Sequence, residues 1–221
     1  MFPDCNRDIG MAKAALKAQG TRRTAPKEER QLQLIQATIR SVARNGLSDT
    51  TMATVAREAG LSQGIINLHF KSKDRLLVET LRYIADEYRV AWERSLSGAG
   101  SSPANQLAAL VAVDFKRPVC DRNKLAVWFA FWGESKSRPT YRKICALRDM
   151  AYRKEMVQVC KDLIDQGGYE QVNAETVAAS LSAMTAGCWL DLLTNPRSIT
   201  RARAREICMS YLAVTFPAHF S

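Results

Sequence analysis

The run Thr51-Met-Ala-Thr-Val-Ala-Arg-Glu-Ala-Gly-Leu-Ser-Gln-Gly-Ile-Ile-Asn-Leu-His-Phe70 holds two short helical patterns separated by a glycine. Met52, Val55, Ala56 and Ala59 recur on one face of the first, which Thr50 or Thr51 can cap. Gly60 and Leu61 make a tight turn, and Ser62 is a good N-cap for the second helix. There Ile65 and Ile66 are expected to point inward and Phe70 to close the end. Two short helices cross steeply when a glycine permits the turn and small residues let the backbones approach. Ala56, Ala59 and Gly60 meet those conditions. Gln63, Gly64, Asn67, Leu68 and His69 are left on the outer side. Gln and Asn pair bidentately with adenine edges, and a glycine lets a groove wall come close. Taken alone, the run also reads as a structural corner with polar residues outside.

Upstream, Leu32, Ile35, Ile39 and Val42 recur at helix spacing between Lys27 and Asn45, and Gly46 supplies a stop. Downstream, a long helix is expected from near Ser72, with Asp74 in the first turn where the helix dipole favours an acid. Its stripe is Leu77, Leu81, Ile84, Tyr88 and Ala91, extended by Trp92 and Leu96, and the Ser/Gly-rich stretch 97–103 ends it. Pro118, Pro139, Gly167–Gly168 and Asn195–Pro196 then punctuate helices over roughly 104–117, 123–137, 140–166, 173–194 and 200–216. No run alternates as strands do, so the fold expected is all-α with about nine helices. It divides into an irregular basic arm (1–26), a helix-turn-helix unit (27–71) and a helical remainder (72–221).

The formal charge of +10 on 221 residues suits an anionic partner such as nucleic acid. Part of it clusters in Lys13, Lys17, Arg22, Arg23, Lys27 and Arg30. Cys5, Cys120, Cys145, Cys160, Cys188 and Cys208 are scattered with no Cys-x-x-Cys pair, which points to reduced buried thiols and no metal site. No cofactor motif is present. Neither a signal pattern nor an unbroken apolar run of membrane length stands out, so the expectation is a cytoplasmic protein with no membrane partner. An enzyme is disfavoured: the chain has no nucleophile elbow, phosphate-cradling loop or paired His-Glu metal motif.

Residues 34–77 resemble the DNA-binding domain of the tetracycline-repressor (TetR/AcrR) family. The matching elements are Ile35-Gln-Ala-Thr, Gly46-Leu-Ser-Asp-Thr-Thr, Val55-Ala-Arg-Glu-Ala-Gly-Leu-Ser, His69-Phe70 and Lys73-Asp-Arg-Leu-Leu77. The resemblance implies an all-α homodimeric repressor, controlled by a small-molecule effector, whose third helix enters the major groove. Carried over by position, Thr51, Thr54 and Lys73 would hold phosphates, and Gln63, Gly64, Asn67 and His69 would face bases or nearby phosphates. The family often has Tyr where this chain has Phe70, so any phosphate contact from a hydroxyl there is lost. The last two long helices would form the dimer interface, through Val177, Leu181, Met184, Cys188 and Leu192 in one and Ile207, Tyr211 and Val214 in the other. Intrachain core is the competing account for each of these. A two-fold dimer implies a pseudo-palindromic operator. The basic segment before the first helix suggests that Arg22 and Arg23 reach the adjacent minor groove.

Beyond the reading head the chain is similar to one branch of that family, the choline-responsive repressors of glycine-betaine synthesis. Ser62–Phe70, Lys124-Leu-Ala-Val-Trp-Phe-Ala-Phe-Trp132 and Ala186-Gly-Cys-Trp-Leu190 carry the similarity, which suggests a quaternary-ammonium effector. Trp128 and Trp132 share a helix face, and Asp114 sits on the apolar stripe of Leu107, Leu110 and Val111, with Trp189 as a further wall. Aromatic faces with one carboxylate suit a permanent cation. Ordinary core tryptophans, with Asp114 paired to Arg117 or at a rim, form the alternative. Another is a DNA-binding protein that answers to no effector.

Overall fold

The computed structural model describes residues 26–220, so Arg22, Arg23 and Cys5, and what is expected of them, lie outside the described residues. These contain nine α-helices and no strand: α1 Lys27–Asp49, α2 Met52–Glu58, α3 Gln63–His69, α4 Lys73–Ser97, α5 Pro103–Asp114, α6 Arg122–Glu134, α7 Pro139–Gly167, α8 Ala174–Thr194 and α9 Arg201–Thr215.

Local chemistry sets the corners of the reading head. Gly46 turns to φ 77°, a conformation open to residues without a Cβ, and breaks the regular helix as its position suggested. Thr50 donates its hydroxyl hydrogen bond to the Gly46 carbonyl at 2.7 Å and tucks against Ser41, fixing the bend. Thr51, not Thr50, caps α2, and Thr54 returns the bond in a reciprocal box. Gly60 at φ 66° makes the turn. Ser62 stands at the N-cap of α3 but makes no side-chain capping bond. α4 is properly capped by the Ser72 hydroxyl, with Asp74 in its first turn.

Two hydrophobic cores result. The small one joins Leu34, Ala37, Val55, Ala56, Ala59, Ile66, Phe70 and Leu76. The sequence stripe for α1 is corrected here, because Leu32 is 43% exposed whereas Leu34 is fully buried. α1 lies between α2–α3 on one side and α4 and α6 on the other, so two of its faces bury and a single stripe misreads it. Likewise Ile66 is the core residue of α3, and Ile65 is half-buried. The large core takes Ile39 and Val42 from α1, the α4 stripe Leu77, Leu81, Ile84, Tyr88 and Trp92, and the inner faces of α5 to α9.

Outside the cores, polar links pin α4 to its neighbours. Gln36 of α1 donates to Tyr83, Lys124 of α6 pairs with Glu87, and Arg138 before α7 pairs with Asp74. At the end of α2, Glu58 receives Arg40 and Arg44, whose guanidinium groups hold its carboxyl below the usual range.

Among the described helices, α8 is long and apolar enough by composition to cross a bilayer, although no unbroken apolar run marks it. Val177, Leu181, Cys188 and Trp189 bury in the core of this same chain, and only 33% of its most apolar stretch is buried. Leu190 on α8 and Val214 on α9 are left 46% and 83% exposed.

Candidate functional site

The outer face of α3 carries Gln63, Gly64, Asn67 and Leu68, all exposed, with Leu68 at 81%. A Cβ at Gly64 would meet only the Ser62 hydroxyl, at 3.8 Å, so nothing among the described residues requires a glycine there. His69 is half-buried, and its Nδ1 has no hydrogen-bond partner among the described residues. Thr51 is exposed beside the head of α2, and Thr54 is half-buried. Lys73 reaches back to donate from Nζ to the Ser48 carbonyl at 2.9 Å, joining the start of α4 to the corner before α2. Phe70 is buried in the small core, 2% exposed. Leu68 is the exposed apolar group that the choice of polar candidates passed over.

The second site lies in the large core. A cavity of about 340 Å³ opens between α4, α5, α6, α7 and α8, bordered by Tyr88, Asp114, Trp132, Tyr152, Thr185 and Trp189. Asp114, at the end of α5, is 1% exposed. Its Oδ1 accepts from the Tyr88 hydroxyl at 2.7 Å, and its Oδ2 accepts from Tyr152 at 3.0 Å and Thr185 at 3.3 Å. Trp189 fixes the same residue by donating Nε1–H to its carbonyl at 2.8 Å. Burial pushes the carboxyl up to about 6, against the three hydroxyl donors, which favour its charged form. Burial likewise raises the phenols of Tyr88 and Tyr152. Arg117 pairs with Asp121 instead, so neither the ion-paired nor the rim alternative for Asp114 holds.

The structure therefore brings Asp114, Trp132 and Trp189 to one cavity. The Trp132 and Trp189 rings lie nearly parallel, 15° apart with centroids at 6.5 Å. Trp128 keeps its place beside Trp132, with centroids at 6.2 Å, but it is buried one layer back from the cavity. Sequence reasoning missed Tyr152, Thr185 and Arg148, and it took Tyr88 only as a core stripe. Tyr152 lies 38 residues from Asp114 in the chain, and Thr185 lies 71 away. Only the folded arrangement of α7 and α8 against α5 brings them together.

A helix-turn-helix head joined by one long helix to a helical domain with an internal cavity is the architecture of a DNA-binding transcriptional regulator. Residues 34–80 match the family described as bacterial regulatory proteins, tetR family, and residues 103–217 match the BetI-type transcriptional repressor C-terminal domain. The HTH-type transcriptional regulator BetI of Burkholderia thailandensis is 34% identical over 164 residues, covering 74% of this chain and 82% of that protein. BetI of Paraburkholderia phymatum is also 34% identical over 164 residues, covering 74% of this chain and 81% of its own length. A transcriptional-regulator structure from Pseudomonas aeruginosa PAO1 superposes with a TM-score of 0.76 at 29% identity, covering 92% of this chain and all of that one. A regulator from Saccharomonospora viridis, in complex with choline, gives a TM-score of 0.73 at 24% identity, covering 84% of this chain and 96% of its own. The chain belongs to the TetR family of transcriptional repressors, with a BetI-type C-terminal domain. It is a regulator of this class and not an enzyme.

Proposed function

We propose that this repressor binds a pseudo-palindromic operator as a homodimer and answers to a quaternary-ammonium effector, choline being the first candidate, held in the cavity beside Asp114. The observation that carries the effector reading is a buried carboxylate set among aromatic rings and hydroxyl donors, with no ion pair to it among the described residues. A buried acid is costly unless something compensates it. A permanent cation compensates Asp114 and is attracted by the Trp132 and Trp189 faces, yet brings no N–H group that needs an acceptor. The choline bound to the Saccharomonospora viridis regulator supports the same chemistry.

Operator reading falls to α3. Gln63 and Asn67 are free to meet base edges, Leu68 to meet a thymine methyl, and Gly64 to admit the groove wall. A glycine in a helix costs about 1 kcal/mol against alanine, and no contact among the described residues accounts for Gly64. Thr51, Thr54 and Lys73 would hold phosphates, His69 would face a base or a nearby phosphate, and Arg22 and Arg23 would serve as a minor-groove arm. Dimerisation uses the outer faces of α8 and α9, where Leu190 and Val214 are exposed and α8 is far more apolar than its burial warrants. Such a regulator works in the cytoplasm, where its operator is. Effector binding shifts the population of α4 arrangements and misplaces the two heads.

Calorimetric titration of the full-length protein with choline chloride, against sodium chloride, tests this reading. Saturable heat that is lost in Asp114→Asn is expected. Heat indistinguishable from the salt control leaves the repressor without a known effector. Operator affinity unchanged by every quaternary ammonium tried would restore the effector-independent reading.

A further inference from the structure

Arg148, on α7, holds its guanidinium carbon 4.3 Å from the Trp128 ring centroid, 5.1 Å from Tyr88 and 5.4 Å from Trp132. Those rings come from α6 and α4, so aromatic faces from two helices converge on a cation supplied by a third. The side chain is only 9% exposed. Its acidic partner is the adjacent Asp149, where Nε and Nη2 both donate to the same oxygen. Nη1 is buried and has no hydrogen-bond partner among the described residues. Leaving a charged donor buried and unmet is unfavourable, and attraction to the π-faces, beside the Asp149 pair, offsets it. Trp128 is buried one layer behind the cavity, with the guanidinium over its face.

We infer that Arg148 is an internal cation of the cage: its guanidinium fills the aromatic seat of the effector-free protein and is the competitor an arriving ammonium must displace. This rests on the quaternary-ammonium reading of the cavity. A fully alkylated ammonium suits the seat better than a guanidinium, because it has no N–H left unmet where Nη1 now lies. The displaced side chain has somewhere to go. Arg148 also borders a second cavity, of about 630 Å³, between α4 and α7, which gives the side chain room, although Asp86 on its wall is already paired with Arg89. Tyr88 and Asp86 both stand on α4, so the exchange alters contacts made by the helix that leads to the reading head.

The test uses the full-length protein, with tetramethylammonium chloride and choline chloride titrated against sodium chloride. Arg148→Gln removes the tethered charge at similar length, and it should bind tetramethylammonium at least tenfold more tightly than the wild type. Arg148→Lys keeps a tethered cation and should stay near the wild type. In wild-type protein labelled with 15N-arginine, the Arg148 Nε–H resonance, assigned by its loss in Arg148→Lys, should shift as tetramethylammonium saturates. That measurement stands even where the glutamine variant fails to fold. Equal or weaker binding by a folded Arg148→Gln, or an unmoved resonance at saturation, overturns the competitor role and leaves the cage intact. Absence of heat with either salt in wild type and Arg148→Gln alike removes the cage reading, and this inference with it.

Discussion

The Tyr88 hydroxyl on α4 donates to Asp114 Oδ1 on α5 across 2.7 Å, joining the floor of the inner cavity to the helix that begins at the reading head. Leu76, three turns earlier on the same helix, packs in the small core with Ile66 and Phe70. A change at Tyr88 therefore has a continuous helical path to α3. Helix termini and packed cores shift between discrete arrangements, which is what a population mechanism needs.

Tyr88→Phe should remove one buried donor and leave the Asp114 carboxylate short of a partner. The expected cost is about 1–3 kcal/mol of unfolding free energy at neutral pH, read by urea denaturation. The Asp114 carboxyl should then titrate above its present value of about 6. Unchanged stability and an unchanged titration would mean that this bond contributes nothing net.

Acid should act on Asp114 in a definite direction. Its folded pKa, about 6, lies above the ordinary 3.8, so the folded state holds the extra proton between those values. This group's contribution to stability is therefore greatest below about pH 4 and is lost as pH rises through about 6, by about 3 kcal/mol in all. Cation binding runs the other way, since it needs the carboxylate. Affinity for choline should fall up to about tenfold for each pH unit below the folded pKa. Calorimetry between pH 5 and pH 8 checks it, and a flat profile would remove Asp114 from the site.

On the DNA face, Lys73→Ala should weaken binding to all sequences and lower the salt slope by about one per half-site. Lys73 also ties α4 to the Ser48 carbonyl, so a small loss of stability should accompany this. Gln63→Ala should cost about 1–3 kcal/mol and relax preference at one base position, leaving stability untouched because Gln63 is exposed. Identical behaviour of the two variants across an operator series would show that phosphate and base contacts have been sorted wrongly.

Thr51→Ala separates capping from DNA contact. Loss of the reciprocal box with Thr54 should cost about 1 kcal/mol of stability. Thr51→Ser keeps the capping oxygen and should restore most of it. If serine restores stability but not operator affinity, the threonine methyl group matters at the interface. If neither variant changes stability, the box is idle.

The helix count was legible in the sequence, because glycine, proline and capping residues act within a turn or two, but α5 ends at Asp114 and α6 at Glu134, both earlier than expected. Gly46 and Gly60 do their work locally and were read correctly, whereas the cap of α2, left open between Thr50 and Thr51, falls to Thr51. The burial of α1 was misread at Leu32 because the helix packs on two sides, and periodicity assumes one. Ser62 had the right residue type at the right place, yet its hydroxyl found no backbone donor.

The sequence by itself determined an all-α chain with a helix-turn-helix head, because those features depend on spacing and on neighbours close along the chain. It could also mark Asp114 as an acid on an apolar stripe. Tertiary structure alone decided what surrounds that acid: Tyr88, Tyr152 and Thr185 donating to its oxygens, and Arg148 over Trp128. Those partners come from four helices, and no local propensity sets the register in which helices pack. That register follows from how side chains fill the shared core, which is a property of the whole chain at once.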